Sequence, residues 1–543
     1  MKKSLLLAGF MLLGLCASAH TSEVINLAAP GISEENKLPE NASELIVNYE
    51  LNFDADAVSV QFFNDGELEK EVALEADNLL RGEHSVTLDI SDLLPNVEYT
   101  FCILVHNDAV EAPKHVGPVY TFWSPYGIAI DNNPDSPNFG RILVTESQAS
   151  VYGKASYWTS DAGEGVGPAV YAFDKNMNRI ANAEGKYGFN GGIEFTAYSY
   201  ADVTGGAGGV FGPKNIKIAP DGRIFLGNFD VKNAPMYVIN PEDLNDWTPF
   251  FVGQQTHTGV GAGSNWGLFN ANDEWVAGHS AAFDLYGEGE NLKMVNLSSC
   301  LGQVYSSGQY WTYEYPIGTA QTWDAAADFM DEVMPISMRY TQSGQTLGVA
   351  YDAEGNIWYN QYRGAPSESQ PSLVHCTKNA DDEWVEDYKY FEAMDRGGIA
   401  FNLDYSIFAV PRATSHLSFN EVSKDASGSP VLTQICEFDG TGLINAFNAI
   451  AFDSEGDCYA VDNSKEVFIK IAMPQDEKNV KTDAVPFMIP VETGVNSVNA
   501  NKVIAGVQYI NAAGQVSNVP FEGLNIVVTK YQDGTQNVAK VVK

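Results

Sequence analysis

The sequence predicts an all-β protein, and three observations support that fold class. A phrase made of an alternating apolar strand, a tight turn and a second apolar strand recurs along the chain. Its clearest copy spans residues 348–358, where Asp352 to Gly355 make the turn. A further apolar run follows every copy, and the segments on both sides of the repeats also divide into short strands bounded by Gly, Asn and Asp.

Six copies of the phrase indicate a repeat architecture. They begin at residues 127, 215, 267, 348, 398 and 449, and the apolar runs that follow them are 170–174, 236–240, 293–297, 373–376, 433–436 and 467–471. Most spacings are close to ~40–50 residues, the length of a four-stranded propeller blade. Radial closure of such blades leaves no long exposed edge. We therefore predict a six-bladed β-propeller over residues 123–474, with insertions in the two longest units.

The phrase resembles the G-I-A-x-x-x-D-G-x-I-[WFY] hairpin of the NHL and gluconolactonase-like six-bladed propellers. The copies at 215, 348 and 449 carry the resemblance most clearly, and it extends over residues 123–474. It implies the fold, but it leaves the activity open because propellers support many unrelated functions.

Residues 23–122 are predicted to form an Ig-like sandwich. Strand-like runs occur at 44–51, 57–63 and 84–90, and Asn64-Asp65-Gly66 marks a turn. The spacing of Leu93, Pro95 and Tyr99 resembles the fibronectin type III family, in which that tyrosine forms a tyrosine corner. The early core tryptophan of the family is absent, so the prediction is an Ig-like sandwich that acts as a spacer or interaction module.

The first 19 residues have the pattern of a secretory signal peptide. Lys2 and Lys3 precede an apolar run, and Ala17-Ser18-Ala19 is a small-residue cleavage site. Lipidation at Cys16 is the alternative. The five later cysteines include no C-x-x-C pair and are predicted to be buried thiols.

Residues 475–543 are predicted to form a small C-terminal β-module. The hairpin Tyr509–Gln515, the strand at 523–528 and the basic end at Lys540 and Lys543 resemble the C-terminal sorting domain of Bacteroidota type IX secretion. The resemblance implies the outer-membrane secretion machinery as a partner and a secreted or cell-surface location. The alternative is an ordinary β-module that ends the chain.

The chain is strongly acidic, with a formal net charge of −39. This balance argues against nucleic acid and anionic membrane surfaces as partners. It suits a solvated surface of an exported protein and is also compatible with divalent cations.

Polar residues recur where the second strand of each phrase ends. These positions, and those just before each first strand, should ring one end of a propeller, which we call the mouth. The first set is Glu146, Asn228, Ser280, Gln361, Pro411 and Asp462, and the second is Tyr126, Lys214, Trp266, Leu347, Gly397 and Asn448.

The gluconolactonase-like resemblance implies a divalent metal at the mouth. The positions that match its Glu, Asn and Asp ligands are Glu146, Asn228, Asn448 and Asp462, and hard oxygen ligands suit Ca²⁺ or Mg²⁺. The alternative is structural, because Asn and Asp commonly cap turns at strand ends.

Aromatic residues in the two insertions suggest a different use of the mouth. Tyr152, Tyr157 and Trp158 lie in one insertion, and Tyr310–Tyr315 lie in the other. Such side chains can stack on sugar rings, or they can simply pack between strands. The predicted ligand-binding residues are Trp266, Lys214, Gln361, Tyr310, Trp311 and Tyr313.

These features predict a secreted or cell-surface protein that binds a glycan or peptide at the mouth. A metal-dependent hydrolase or lactonase of gluconolactonase-like type is the alternative, and a structural surface protein is the third hypothesis. The sequence has no H-E-x-x-H pair and no G-x-S-x-G elbow, so it offers no zinc-protease or serine-hydrolase motif.

Overall fold

The computed structural model describes residues 21–147, 165–193, 195, 212–228, 234–252, 267–269, 275–299, 311–324, 334–337, 348–360, 372–390, 397–491 and 503–543. The chain divides into two compact units. The larger unit comprises Met1–Ser22 and His106–Asn479, and the smaller comprises Glu23–Val105 and Val480–Lys543. The described parts of both units contain strands and two short 3-10 turns, Ala76–Leu79 and Gly289–Asn291, so the predicted all-β class is confirmed. No helix in the described residues is long and apolar enough to cross a membrane.

The strands are numbered in chain order. The first ten are β1 (Val24–Ala28), β2 (Glu44–Leu51), β3 (Ala57–Asn64), β4 (Glu67–Ala73), β5 (Gly82–Asp89), β6 (Glu98–Asn107), β7 (Lys114–Thr121), β8 (Pro125–Ile130), β9 (Ile142–Glu146) and β10 (Ala169–Phe173). The next ten are β11 (Arg179–Ile180), β12 (Pro213–Ile218), β13 (Ile224–Asn228), β14 (Met236–Asn240), β15 (Asp243–Pro249), β16 (Phe251–Val252), β17 (Gly267–Phe269), β18 (Trp275–Tyr286), β19 (Lys293–Ser299) and β20 (Trp311–Tyr315). Ten more follow: β21 (Trp323–Asp324), β22 (Met334–Ser337), β23 (Val349–Tyr351), β24 (Ile357–Asn360), β25 (Leu373–Lys378), β26 (Trp384–Tyr390), β27 (Ala400–Phe401), β28 (Phe408–Ala413), β29 (His416–Lys424) and β30 (Pro430–Asp439). The last nine are β31 (Ala449–Phe452), β32 (Cys458–Asp462), β33 (Val467–Ala472), β34 (Lys478–Lys481), β35 (Val485–Met488), β36 (Ile504–Asn511), β37 (Val516–Ser517), β38 (Leu524–Tyr531) and β39 (Gln536–Val542).

The larger unit is β-propeller-like. Its described residues form six antiparallel sheets of four or five strands, in the orders β11-β10-β9-β8, β12-β13-β14-β15, β17-β18-β19-β20-β22, β23-β24-β25-β26, β27-β28-β29-β30 and β31-β32-β33-β7. The inner strands β8, β12, β18, β23, β27 and β31 neighbour one another in that cyclic order, and β31 returns to β8. The sheets therefore close into a ring around an axis lined by these strands.

Glycines at the start of the phrase permit the inner strands to approach closely. A Cβ atom added at Gly127 would lie 2.2 Å from the carbonyl oxygen of Lys214 on the next sheet, and one added at Gly348 would lie 2.6 Å from the backbone nitrogen of Ile399. Backbone contact between neighbouring sheets therefore excludes a side chain at these positions.

The hairpin turns opposite the mouth share a side-chain mechanism. Asp352 and Asp453 each use Oδ1 to accept hydrogen bonds from the backbone N–H groups two and four residues later, at 2.9–3.0 Å. Gly355 and Gly456 have φ of 78° and 91°, which lie in the left-handed region that this turn requires. The acidic-Gly signature therefore encodes a tight turn.

The third sheet corrects the predicted register of the repeat at residue 267. The second half of β18, from His279 to Tyr286, is the inner strand, and it pairs with β19. The predicted third strand at 293–297 is thus the second strand of this sheet, and the predicted insertion at 310–315 contains its third strand, β20. The hairpin of β17 with the start of β18 precedes the inner strand. Ser280 accordingly lies near the start of an inner strand and does not end a second one.

Two other predicted boundaries also differ from the structure. The run 433–436 lies in the fourth strand of its sheet, because β29 takes the third position. β7 lies within residues 23–122, which were predicted to form the sandwich. It pairs instead with β33 and supplies the fourth strand of the last sheet of the ring. A strand from before the ring therefore completes its final sheet.

The smaller unit contains a sandwich of two sheets that share one hydrophobic core. The sheets have the orders β1-β2-β5 and β34-β6-β3-β4, and β35 also pairs with β6. The core includes Tyr49, Phe62, Phe101, Phe487 and Ile489. The last two residues belong to the predicted tail, so the boundary predicted at residue 475 does not match this strand pairing.

The predicted tyrosine hydrogen bond is present in the sandwich. Tyr99 is buried, and its hydroxyl accepts a hydrogen bond from the N–H of Leu94 at 3.0 Å. This is the return to upstream backbone expected of a tyrosine corner. Membership of the fibronectin type III family stays a prediction.

The C-terminal residues form a separate four-stranded sheet within the smaller unit. Its order is β37-β36-β38-β39, and β39 is at one edge. The sheet has little core of its own: Asn525 and Tyr531 are buried, whereas Ile504, Val538 and Val542 are exposed. Only the part of the predicted module from β36 onward forms this sheet, and the role of the module in sorting stays a prediction.

Candidate functional site

Three of the polar residues that were predicted to ring the mouth are buried. Glu146, Asn228 and Asp462 are the last residues of β9, β13 and β32, and each is 2% exposed or less. Asn360, the last residue of β24, and Asn296 in β19 are equally buried. We call these five residues the polar ring, because each belongs to the second strand of a different sheet; four of them end their strands, whereas Asn296 lies in the middle of β19. The remaining sheet has Pro411, as the sequence predicted.

The two carboxylates of the polar ring hold the chain where it enters a sheet. Glu146 accepts hydrogen bonds from the backbone N–H groups of Trp123 at 2.6 Å and Ser124 at 2.7 Å. Both donors precede β8, the inner strand of the same sheet. The buried charge is therefore stabilised by backbone dipoles, which is a strong form of hydrogen bond.

Asp462 does the same in the last sheet. One carboxylate oxygen accepts from the N–H groups of Asn445 at 2.6 Å and Ala446 at 3.0 Å, just before β31. The other accepts from both the backbone N–H and the hydroxyl of Ser464, at 2.7 Å each. The repeated arrangement supports the structural alternative for these positions.

Asn360 links two neighbouring sheets through its amide. Its Oδ1 accepts a hydrogen bond from the N–H of Gly348, and its Nδ2 donates to the carbonyl oxygen of Gly397, both at 2.6 Å. The residue predicted from the sequence is the adjacent Gln361, which lies outside the described residues. The polar end of the buried run Ile357–Asn360 was the signal that could have identified Asn360.

The remaining predicted metal ligands are also engaged in hydrogen bonds. Asn228 donates from Nδ2 to the carbonyl oxygen of Ala234 at 2.9 Å, and Asn448 accepts from the N–H of Asn463 at 2.9 Å. Within the described ranges, no group of three or more His, Cys, Asp or Glu side chains is placed to hold a metal ion. Binding of Ca²⁺ or Mg²⁺ by Glu146, Asn228, Asn448 and Asp462 stays a prediction.

A small cavity lies on the axis of the ring, among the described residues of the inner strands. A cavity of about 20 Å³ lies between the inner strands, and all six sheets contribute to its lining, among them Asn215, Lys217, Gly348, Gly398 and Asn448. This volume is sufficient for about one water molecule. Of the four predicted metal ligands, only Asn448 is among the described residues of that lining. This cavity between the described inner strands therefore has no space for a larger ligand.

Lys214 is the buried cation of the mouth. Its ammonium group lies 4.1 Å from the centre of the Tyr126 ring, and the residue is 2% exposed. Burial lowers the pKa of Lys214 to about 7, because the charged form loses its hydration. Its contact with the face of Tyr126 is a cation–π interaction. Its predicted role in ligand binding stays a prediction.

The other predicted ligand-binding residues have different outcomes. Tyr313 is 8% exposed and packs in the core with Phe251 and Tyr315, which favours the structural alternative for this residue. Trp311 is in β20, but its side chain is not described. Trp266, Gln361 and Tyr310 lie outside the described residues.

The two ends of the ring differ in the connections that join their strands. Long stretches of sequence separate strands whose described ends lie at the mouth, and most of their residues are outside the described ranges; they are 147–168, 181–212, 253–266, 300–310, 338–348, 361–372 and 391–399. Most connections at the opposite end are short turns, such as 219–223, 352–356, 402–407 and 453–457, although 131–141 and 316–333 are longer. The described strands are therefore joined by longer stretches of sequence at the mouth than at the opposite end.

Comparison with known proteins adds little to this description. No family model matches the sequence, and no curated protein matches it. Among solved structures, the chain is similar to an auxiliary nutrient binding protein from Bacteroides ovatus ATCC 8483, with 8% identity and a TM-score of 0.34 over 79% of this chain and 94% of that one. It is also similar to a chain of the mitotic checkpoint complex, with 11% identity and a TM-score of 0.32 over 68% of this chain and 93% of that one. At these TM-scores the similarities carry no information about function.

Proposed function

We propose that this is an exported binding protein whose ligand, a glycan or a peptide, is held by the long connections at the mouth of the ring. The observation that carries the proposal is the difference between the two ends of the ring. A rigid scaffold that gathers its longest connections at one end is the usual arrangement of a binding surface. The polar ring beneath them supports the scaffold by fixing the entry of the chain into several sheets.

The composition of these connections suits recognition. The segment 147–168 is rich in Gly and Ser and contains two tyrosines and Trp158, and the segment 181–212 is rich in Gly and contains three tyrosines. Tyrosine and tryptophan supply large contact areas at a low entropic cost, and small polar residues supply adaptable hydrogen bonds. Such connections suit both sugar rings and peptide side chains.

The start of the described chain is compatible with export. Thr21 and Ser22 are buried, and the Ser22 N–H donates to Asn107 Oδ1 at 2.7 Å. The predicted cleavage after Ala19 precedes this anchored pair. N-terminal sequencing of the mature protein distinguishes cleavage there from lipidation at Cys16. In this proposal, the sorting-like C-terminal sheet directs the exported protein to the cell surface.

The mouth can be tested with matched variants at the two ends of the ring. The full chain would be applied to a glycan array and a peptide array, together with a variant carrying Tyr152→Ala, Tyr157→Ala and Trp158→Ala. The control carries Phe139→Ser and Leu403→Ser, two exposed residues at the opposite end. We expect binding on one array, a loss of about tenfold or more in the first variant, and no change in the control. Absence of binding on both arrays, or equal effects of the two variants, would contradict the proposal.

A further inference from the structure

The sandwich carries a cavity of its own, on the sheet formed by β1, β2 and β5. The cavity has a volume of about 630 Å³, and three successive residues from each of these strands line it. Sites for small molecules commonly measure about 300–1,000 Å³. The cavity is therefore large enough for a short oligosaccharide or a similar ligand.

Strand register arranges its polar side chains in two rows. In one row, Asn26 is paired with Glu50, and Glu50 is paired with Glu83. In the other row, Ala28 is paired with Asn48, and Asn48 is paired with Ser85. Adjacent strands are about 4.8 Å apart, so polar groups recur at that interval across the face. This grid has the scale of a monosaccharide ring.

The grid can both donate and accept hydrogen bonds. Asn26 donates to the Glu50 carboxylate, and the Ser85 hydroxyl donates to Asn48 Oδ1 at 2.8 Å. These bonds orient the side chains. The amide N–H groups of Asn48 and further carboxylate lone pairs of Glu50 and Glu83 then provide partners for ligand hydroxyl groups, which themselves donate and accept.

The same face has a feature that does not stabilise the sheet. Glu50 and Glu83 are directly opposite each other on adjacent strands. Like charges in this position destabilise an antiparallel pair. Neither residue contributes to the core of the sandwich, whereas Tyr49, which precedes Glu50 in sequence, does. Local choices that act against folding stability are characteristic of functional surfaces.

We propose that this face of the sandwich is a second binding site, separate from the mouth, and that its ligand is a neutral, hydroxyl-rich carbohydrate. The cavity provides the volume, and the two rows provide hydrogen-bond partners at sugar spacing. The site does not depend on the proposed function of the mouth.

Native gel electrophoresis in polysaccharide-containing gels tests the proposal with the full chain. The probes are dextran, laminarin, xylan, mannan and arabinan, and soluble poly-lysine in a separate titration serves as a cationic probe. We compare the unaltered protein with Asn48→Ala combined with Ser85→Ala. The control is Thr87→Ala, on the same exposed face of β5 but outside the cavity. The triple aromatic variant of the mouth is included to separate the two sites.

We expect retardation in at least one polysaccharide, with an apparent affinity about tenfold lower in the double variant. The Thr87 control and the mouth variant should migrate like the unaltered protein. The proposal is overturned if no polysaccharide retards the protein, if Thr87→Ala has the same effect as the double variant, or if only the mouth variant abolishes retardation. Binding of poly-lysine alone, lost on Glu50→Gln and Glu83→Gln, would overturn it in favour of a cationic ligand.

Discussion

Asn360 Oδ1 accepts a hydrogen bond at 2.6 Å from the N–H of Gly348, the residue that precedes the inner strand of the same sheet. The amide of Asn360 also donates to the next sheet through Gly397. This side chain therefore joins two neighbouring sheets at a buried position near the mouth. Substitution of Asn360 therefore tests the structural role of the polar ring directly.

We expect Asn360→Ala to destabilise the larger unit by about 2–4 kcal/mol, because a buried N–H and a buried carbonyl both lose their side-chain partner. Chemical unfolding followed by tryptophan fluorescence measures the change. Asn245→Ala, at an exposed position in β15, is the control and should alter stability by less than about 0.5 kcal/mol. Equal effects of the two substitutions would contradict a role for Asn360 in joining the sheets.

Glu146→Gln tests the structural and metal-binding interpretations together. The amide retains one oxygen acceptor for the N–H groups of Trp123 and Ser124, so we expect a loss of about 1–3 kcal/mol in the presence of EDTA. Thermal unfolding with EDTA and with Ca²⁺ gives the comparison. A loss that appears only with Ca²⁺ would support the predicted metal site, since a carboxylate is the strongest hard-cation ligand of the set.

Lys214→Met should increase stability in a pH-dependent manner. Because burial holds the Lys214 pKa at about 7, below the unfolded value of about 10.4, the cost of burying its charge is fully present below pH 7. The cost falls as the pH rises from 7 to 10, where the folded protein releases its proton before the unfolded chain does. We expect Lys214→Met to increase the free energy of unfolding by an amount on the order of 2–4 kcal/mol at pH 6 and to change it little at pH 10.

Urea unfolding at several pH values measures this difference. Lys217→Met is the matched control, because the Lys217 ammonium is partly exposed and lies 2.9 Å from Asp284. Lys217→Met should lower the free energy of unfolding by up to about 1 kcal/mol and should not increase it at pH 6. The free energies of unfolding of Lys214→Met and of the unaltered protein would be compared at both pH values. If they differ by the same amount at pH 6 and pH 10, the interpretation that Lys214 loses its proton in the folded protein is contradicted.

Two truncations test how far the sandwich extends along the chain. A chain that ends at residue 491 retains Phe487 and Ile489, so its thermal midpoint should match that of the full chain. A chain that ends at residue 475 removes both buried side chains, at a cost of about 2–5 kcal/mol for each. Differential scanning calorimetry distinguishes the two. An unchanged midpoint for the shorter chain would show that β35 is not needed by the sandwich.

Local patterns predicted much of the fold. The acidic-Gly turns at 352–355 and 453–456 specify their own hydrogen bonds, so the strands on either side were identified correctly. The repeat at 267 was assigned to the wrong strands because β17 and the start of β18 also form a hairpin. Nothing local distinguishes that hairpin from an inner one. The pairing of β7 with β33 was missed because it joins residues far apart in sequence.

The predicted roles of the candidate site residues stay predictions. The pattern at strand ends selected Glu146 and Asp462 as metal ligands at the mouth, and both side chains are buried. Their partners are backbone N–H groups, which every sequence possesses, so the sequence could not show that these oxygens are already occupied. Tyr313 was predicted to bind a ligand but packs in the core. The sequence pattern around an aromatic residue does not distinguish a strand core from a connection that binds ligand.

The position of β35 has a consequence for the order in which the protein can mature. The sandwich begins at Val24, yet the strand that supplies Phe487 to its core is synthesised only after the entire ring. Until β35 has been synthesised, β6 lacks the strand partner that β35 provides, and the sandwich cannot be completed. Exposed strand edges of this kind favour aggregation. We therefore expect the nascent chain to be most prone to aggregation before β35 has been synthesised.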